Sequence, residues 1–153
     1  MSDPTILRIE RVIDATPDAV YRAWTTPKLM ERWYLDGDDT TARVVEHELR
    51  VGGTFRIEFG PRDQDPFVEC GTYLELDPPH RVVINETLGK ASEPGLGWTD
   101  TKVTVEFLAE AGKTRLVLTH EGLNDEQREG AGGGWPGFID RLAAIVEHEP
   151  STA

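Results

Sequence analysis

Apolar and polar residues alternate with a period of two through most of the chain, which predicts antiparallel strands with one covered face. A β-branched and apolar run over residues 6–13 predicts a first strand. Turn residues, mainly glycine and proline, separate the later alternating runs. These runs predict strands over residues 43–50, 55–59, 68–76, 82–88, 103–107 and 116–119.

Two short helices are predicted directly after the first strand. Thr16 is a favourable N-cap residue and Pro17 suits the first helical position. Apolar residues then recur four apart over 20–24, on one helical face. Thr26 and a following proline open the second short helix, where the same spacing recurs over 29–33.

The last predicted element is a long helix with a wide apolar face. Its stripe has helical spacing and consists of Trp135, Phe138, Ile139, Leu142, Ile145 and Val146. Four glycines lie within 130–134, and each costs about 1 kcal/mol relative to alanine in a helix interior. We therefore predict a break there, between a short turn over 124–128 and the main helix.

An open sheet cannot leave its apolar face bare, and the terminal helix carries a matching stripe. The predicted fold class is α+β: a curved antiparallel sheet of about six or seven strands wrapped around the long C-terminal helix. The length of 153 residues fits one domain, so residues 1–153 are expected to fold as a unit.

Charge and cysteine content narrow the classes of function. The formal net charge of −12 opposes binding to nucleic-acid phosphates and anionic lipid, so neither nucleic acid nor membrane is expected as a partner. No apolar run is long enough for a membrane span, and no secretory leader is visible. Cys70 is the single cysteine, which is typical of a reducing compartment. A cytoplasmic location is the expectation.

Several stretches resemble a known family along nearly the whole chain. They are residues 13–27, 29–33, 50–55, 71–79, 114–122 and 134–135. In these segments the chain resembles the START-like helix-grip (SRPBCC) superfamily. Within it, the chain is similar to bacterial homologues of the C-terminal domain of the ATPase activator of the ninety-kilodalton heat-shock chaperone.

The resemblance implies a cavity between the curved sheet and the long helix. Relatives bind lipids, sterols, polyketides or plant hormones, and some catalyse cyclisation or hydration. The leading hypothesis is therefore the binding of a small, mostly apolar molecule, without a cofactor. Relatives often pair, which leaves a homodimer open. A chaperone-interacting module is a further alternative, because that is the role of the eukaryotic activators.

Alternation gives the residues expected to face such a cavity. On the fourth predicted strand these are Cys70, Thr72 and Leu74. Trp98, in a predicted loop over 89–100, is a candidate gate, whereas Trp33 fits better as a core anchor. The predicted ligand-binding residues are Trp33, Phe55, Ile57, Phe59, Cys70, Glu86, Trp98, Val105, His120, Trp135, Phe138 and Leu142.

Glu86 and His120 are the weak candidates for catalysis. Each follows apolar residues in steps of two, so each is expected on the concave face. A carboxylate beside an imidazole in an apolar pocket could perform acid–base chemistry of the cyclase or hydratase type. The alternative is structural: His120 makes a hydrogen bond at a strand end, and Glu86 faces solvent.

No motif indicates a metal. The acidic loop over 36–39 lacks the glycine and glutamate of a calcium loop at its sixth and twelfth positions, which are Thr41 and His47. The four histidines are scattered and form no zinc motif. We therefore expect no metal ligands, and a solvated loop at 36–39.

Overall fold

The computed structural model describes residues 6–94 and 96–148. The elements follow the predicted order of strand, two helices, six strands and a terminal helix. They are β1 (Ile6–Ile13), α1 (Pro17–Thr25), α2 (Pro27–Tyr34), β2 (Thr40–His47), β3 (Thr54–Pro61), β4 (Phe67–Asp77), β5 (Arg81–Lys90), β6 (Trp98–Glu110), β7 (Lys113–Glu121) and α3 (Asp125–His148).

The seven strands of the described ranges form one antiparallel sheet in the order β1-β7-β6-β5-β4-β3-β2. The sheet curves around α3, which also packs against α1 and α2. The predicted fold class and the two short helices after β1 are confirmed. At the start of α1, the Thr16 hydroxyl accepts a hydrogen bond from Ala19 N at 3.3 Å, as the predicted N-cap requires.

The predicted break before the last helix is wrong, because α3 runs without interruption from Asp125 to His148. Asn124 and Gln127 begin the helix with reciprocal side-chain-to-backbone hydrogen bonds of 2.8 and 3.0 Å, which is a capping box. Burial of Trp135 and the apolar stripe after it holds the far end. Tertiary packing therefore overrides the low helix propensity of the glycines between these two anchors.

The predicted inward face of β4 is also wrong over most of the strand. Tyr73 pairs with the inward residue Ile84, whereas Cys70 pairs with the outward Arg56. Leu74 is 49% exposed and lies at an irregularity in the pairing between Tyr73 and Glu75. Such a bulge reverses the alternation, so the inward residues are Phe67, Glu69, Gly71, Tyr73 and Leu76 rather than Cys70, Thr72 and Leu74.

One strand boundary differs in a way that matters for the site. The strand predicted over 103–107 begins already at Trp98, which pairs with Leu88 of β5. The amide of Gln127 donates to the carbonyl of Gly97 at 2.8 Å. This bond joins the start of α3 to the start of β6, at one end of the concave face.

Candidate functional site

A cavity of about 350 Å³ lies between α3 and the concave face of β3–β6. Most of its wall is apolar, with five aromatic side chains and two carboxyl groups. The lining residues are Phe59, Phe67, Glu69, Glu86, Leu88, Gly97, Trp98, Gly130, Ala131, Gly134, Trp135 and Phe138. This volume is within the range of small-molecule sites in proteins.

The helical side of the cavity exists because α3 presents small residues there. Gly130, Ala131 and Gly134 line the space, and a Cβ added at Gly134 would meet no heavy atom within 4 Å. One turn further on, Trp135 and Phe138 form the end wall. The glycine-rich segment is therefore part of the cavity wall rather than a hinge.

Glu86 lies at the sheet side of the cavity and is only 1% exposed. Its neighbour across β4 is Gly71, where an added Cβ would lie 1.7 Å from the carbonyl oxygen of Asn85 and 3.0 Å from the ring of Phe55. The indole N–H of Trp98 donates to Glu86 Oε1 at 2.8 Å. The other carboxyl oxygen, Glu86 Oε2, is buried without a hydrogen-bond donor.

Glu69 is the second carboxyl group of the cavity, and it is only 4% exposed. The hydroxyl of Tyr34 donates to Glu69 Oε1 at 2.8 Å. Glu69 and Glu86 lie near enough to each other for each side chain to influence the pKa of the other. We call these two groups the carboxyl pair.

The electrostatics of the carboxyl pair follow from its burial. Burial, and next the charge of Glu86, raise the pKa of Glu69 well above its usual range. Burial also raises the pKa of Glu86, against the opposing effect of hydrogen bonds from Glu69 and Trp98. Both carboxyl groups therefore hold their protons more tightly than exposed glutamates do.

His120 is fully buried next to the cavity but does not line it. Trp135 Nε1 donates to its Nδ1 at 3.1 Å, and its Nε2 lies 2.8 Å from Thr101 Oγ1. The Thr101 hydroxyl donates to the carbonyl of Glu86 at 2.9 Å, so His120 Nε2 must be the donor to Thr101. Burial lowers the pKa of His120 to about 4, and the ring is a neutral imidazole with both nitrogens occupied.

The predicted catalytic pair is therefore close but is not arranged for proton transfer. His120 Nε2 lies 3.6 Å from Glu86 Oε1, beyond a normal hydrogen bond. The rings of Trp98 and Trp135 both pack edge-on against the imidazole. Both glutamates are buried, so the alternative that Glu86 faces solvent is wrong.

The structure divides the predicted ligand-binding residues into three groups. Five of the twelve line the cavity: Phe59, Glu86, Trp98, Trp135 and Phe138. Six others are in the packed interior or beside the cavity: Trp33, Phe55, Ile57, Val105, His120 and Leu142. Cys70 lies on the other face of the sheet, in a groove with Arg56 and Thr87, so its predicted inward position is wrong.

Trp33 and Trp98 have different roles in the structure. Trp33 is 1% exposed, and its indole N–H donates to the carbonyl of Ala23 at 2.9 Å, so it anchors α2 to α1. Trp98 is partly exposed and belongs to the cavity wall at the start of β6. Only Trp98 therefore occupies a position at which it could control access.

Sequence reasoning missed Glu69 and Phe67 because it assigned their strand the opposite face. The signal for them is the alternation of Phe67, Glu69, Gly71 and Tyr73, which continues only if the strand is irregular after Tyr73. Glu69 then stands two residue pairs away from Glu86 along the β4–β5 ladder, on the same face. The two glutamates are thus brought together by strand register.

The described ranges contain neither a group of metal-ligating side chains nor a helix that could span a membrane. Between residues 6 and 148, with 95 left aside, no three His, Cys, Asp or Glu side chains are grouped so that they could hold a metal ion. Over the same ranges, none of the helices is both long and apolar enough to cross a membrane.

Comparisons with known proteins identify the family. Residues 14–147 match the protein family described as "Activator of Hsp90 ATPase homolog 1-like protein". A search of curated proteins found no match for the chain.

Solved structures with the same fold cover almost the whole chain. A protein from Chromobacterium violaceum is 30% identical, with a TM-score of 0.82 over 95% of this chain and 99% of that chain. An AHSA1-like protein from Aeromonas hydrophila is 24% identical, with a TM-score of 0.75 over 94% of this chain and 92% of its own. A protein from Mycobacterium smegmatis shares the fold at 19% identity, with a TM-score of 0.81 over 94% and 91% of the two chains.

Proposed function

This chain belongs to the family of activator of Hsp90 ATPase homolog 1-like proteins, and from that premise we propose that it binds a small, mostly apolar molecule between its sheet and α3. The observation that carries the proposal is the cavity of about 350 Å³ with its largely aromatic wall. Ligand sites combine an apolar wall with a few polar groups that orient the ligand. Here Glu69 and Glu86 are those polar groups.

The glycines of α3 support the same proposal. A helix that only had to cover the sheet would gain stability from larger residues at Gly130 and Gly134. Both positions instead leave space next to Trp98 and Trp135. A ligand that fills this space restores the buried apolar contact that the missing side chains do not make.

The test fills the cavity from the helix. We expect Gly134→Leu to weaken binding of the neutral probe 4-phenylbutan-1-ol by more than about tenfold, because the new side chain occupies the ligand's space. Isothermal titration calorimetry measures the affinity, and urea unfolding checks the fold. Since leucine is the better helix former, this variant should be at least as stable as the wild type.

The matched control is Gly133→Leu, one residue away on α3. An added Cβ there also meets no heavy atom within 4 Å, but Gly133 lines a neighbouring groove instead of the cavity. We expect its affinity for the probe to stay near the wild-type value. Absence of binding by the wild type, or equal loss in the two variants, would contradict the proposal.

The enzymatic alternative loses support from its predicted imidazole. Both ring nitrogens of His120 are used within the protein, so a cyclase or hydratase reaction would have to rely on the carboxyl pair alone. The chaperone-interacting alternative rests on the description of the family. A cytoplasmic location and pairing with a second copy of the chain remain predictions.

A further inference from the structure

The cavity has an unbalanced set of charged groups. Two buried carboxyl groups, Glu69 and Glu86, belong to its wall, and its twelve lining residues include no Lys, Arg or His. Glu86 Oε2 is buried without a donor unless Glu69 supplies its proton. A charge in such a place is costly unless it is paired with a cation.

We propose that the ligand carries a protonated amine on its apolar body, and that the pair Glu69–Glu86 is the counter-charge for this amine. The inference rests on the proposed function, because it names the chemical class of the ligand for the same cavity. It follows from the two buried carboxyl groups and the aromatic wall around them. An ammonium group can form an ion pair with the carboxyl groups and a cation–π contact with the aromatic wall.

The aromatic side chains strengthen the case for a cation. Five of the lining residues are Phe59, Phe67, Trp98, Trp135 and Phe138. The faces of aromatic rings attract ammonium groups, and tryptophan does so most strongly. The bond from Trp98 Nε1 to Glu86 Oε1 fixes one ring next to the carboxyl pair. A cationic group bound there would have a carboxylate and an indole within reach together.

No charged group of the protein replaces that cation in the described parts of the chain. Tyr34 on α2 and Tyr73 on β4 are neutral, with pKa values raised first of all by burial. His120 on β7 is neutral as well. Lys90 on β5 lies over the ring of Phe67, 4.9 Å from its centre, and lines the groove on the outer face.

A further cation, on α3, lies beside a ring of the cavity wall. Arg141 lies over Phe138, and its Nη1 is 3.3 Å from Asp36 Oδ1, so this charge is already compensated. Among the causes that raise the pKa of Glu69, the neighbouring Cys70 is the smallest. The wall therefore favours a cation over an anion at the carboxyl pair.

The experiment compares three probes with one apolar body and different end groups: 4-phenylbutan-1-amine, 4-phenylbutan-1-ol and 4-phenylbutanoate. At about pH 7.5 we expect the amine to bind about tenfold more tightly than the alcohol, with the carboxylate weakest. Calorimetry with the full chain measures all three affinities. Titration in two buffers of different ionisation enthalpy measures the proton that the carboxyl pair releases when the amine binds.

Variants of the pair test the assignment. We expect Glu86→Gln to reduce the preference for amine over alcohol to less than about threefold and to abolish the proton release, because a neutral amide cannot pair with the ammonium. The preference is taken as the ratio of the amine and alcohol affinities within the variant, and urea unfolding checks that the variant still folds. Glu58→Gln on β3 is the matched control, because this carboxylate makes ion pairs with Arg43 and Arg56 and does not line the cavity, and it should retain the full preference.

The outcomes separate the two proposals. If the alcohol binds in a way that Gly134→Leu abolishes, but the amine binds no better, the amine inference fails and the proposed function stands. If Glu86→Gln keeps the amine preference, or if the carboxylate binds best, the inference is also wrong. If none of the probes binds, the proposed function fails with it.

Discussion

The two ends of α3 cover the same sheet in different ways. Towards the C-terminus, Leu142 and Ala143 are fully buried against a solid layer in which Trp24 and Trp33 stack 4.9 Å apart. The pocket beside these two tryptophans measures only about 20 Å³. Towards the N-terminus, Gly130 and Gly134 face a cavity of about 350 Å³.

The difference shows that the fold does not by itself determine whether this space is filled. Both ends have the same helix, the same sheet and the same antiparallel register. The solid end has large apolar side chains on both layers, and the hollow end has glycines on the helix and glutamates on the sheet. A few residue choices therefore convert half of a core into a binding site.

The largest expected effect is at the solid end. Leu142→Ala should lower the free energy of unfolding by about 2–5 kcal/mol, because it opens a void among atoms that cannot collapse into it. Urea unfolding measures the change. Gly134→Ala at the hollow end is the companion variant, and it should change stability by less than about 1 kcal/mol, in the stabilising direction. Equal losses at the two positions would refute the distinction between the ends.

The next largest effect is a pH dependence of the free energy of unfolding, which arises from His120 next to the cavity. His120 is neutral in the fold with a pKa of about 4, whereas in the unfolded chain it titrates at its usual 6.5. The contribution of His120 to the free energy of unfolding is therefore complete above pH 6.5 and is lost as the pH falls towards 4. This loss amounts to about 3 kcal/mol. Urea unfolding across this range should show it for the wild type, and His120→Gln should remove that part of the slope.

The carboxyl pair affects stability in the opposite direction as the pH changes, so it provides the control for the titration of His120. Because their folded pKa values are raised, Glu69 and Glu86 favour the fold at low pH, and this contribution is lost as the pH rises through those values. The double variant Glu69→Gln/Glu86→Gln should abolish the decline in stability that accompanies deprotonation of the pair as the pH rises, and it should keep the loss on the acid side. If it removed the acid-side loss instead, the assignment to His120 would be wrong.

The smallest expected effect concerns the contribution of a glycine in α3 to stability. Gly133→Ala should raise the free energy of unfolding by up to about 1 kcal/mol, because the added Cβ meets nothing within 4 Å and alanine is the better helix former. Gly37→Ala is the contrast. Its φ of +97° is a conformation that alanine adopts only with strain, so this change should destabilise the protein.

Local chemistry predicts much of this fold. The order of elements, the Thr16 cap and the closing of the sheet over α3 all follow from spacing and burial. The continuity of α3 was also readable, since Asn124 and Gln127 have the spacing of a capping box. The glycine content nevertheless predicted a break, because helix propensity considers only local sequence. The burial that stabilises α3 comes from tertiary packing, which the local sequence does not show.

The site was only half predictable, and the reason is the irregularity in β4. Alternation fixes which residues share a face, but it does not say which face is inside when a bulge reverses it. The pairing of β5 with β6 is regular from Arg81 to Glu86 and shifts only after Glu86, so alternation from Val82 places Glu86 correctly on the concave side. Glu69 lies before the irregularity at Leu74, so its strand was assigned the wrong face and the carboxyl pair could not be foreseen.

The positions of the four tryptophans have an optical consequence. Trp24 and Trp33 are stacked in the solid end, so their emission reports on whether that end is folded. Trp98 is bonded to Glu86 and, with Trp135, lines the cavity, so its emission changes when the neighbouring carboxylate is neutralised or when solvent is displaced. The molecule thus contains a stacked group of fluorophores, Trp24, Trp33 and Trp135, that reports on its integrity, and a separate one, Trp98, that reports on its occupancy. No added dye is needed to distinguish folding from ligand binding.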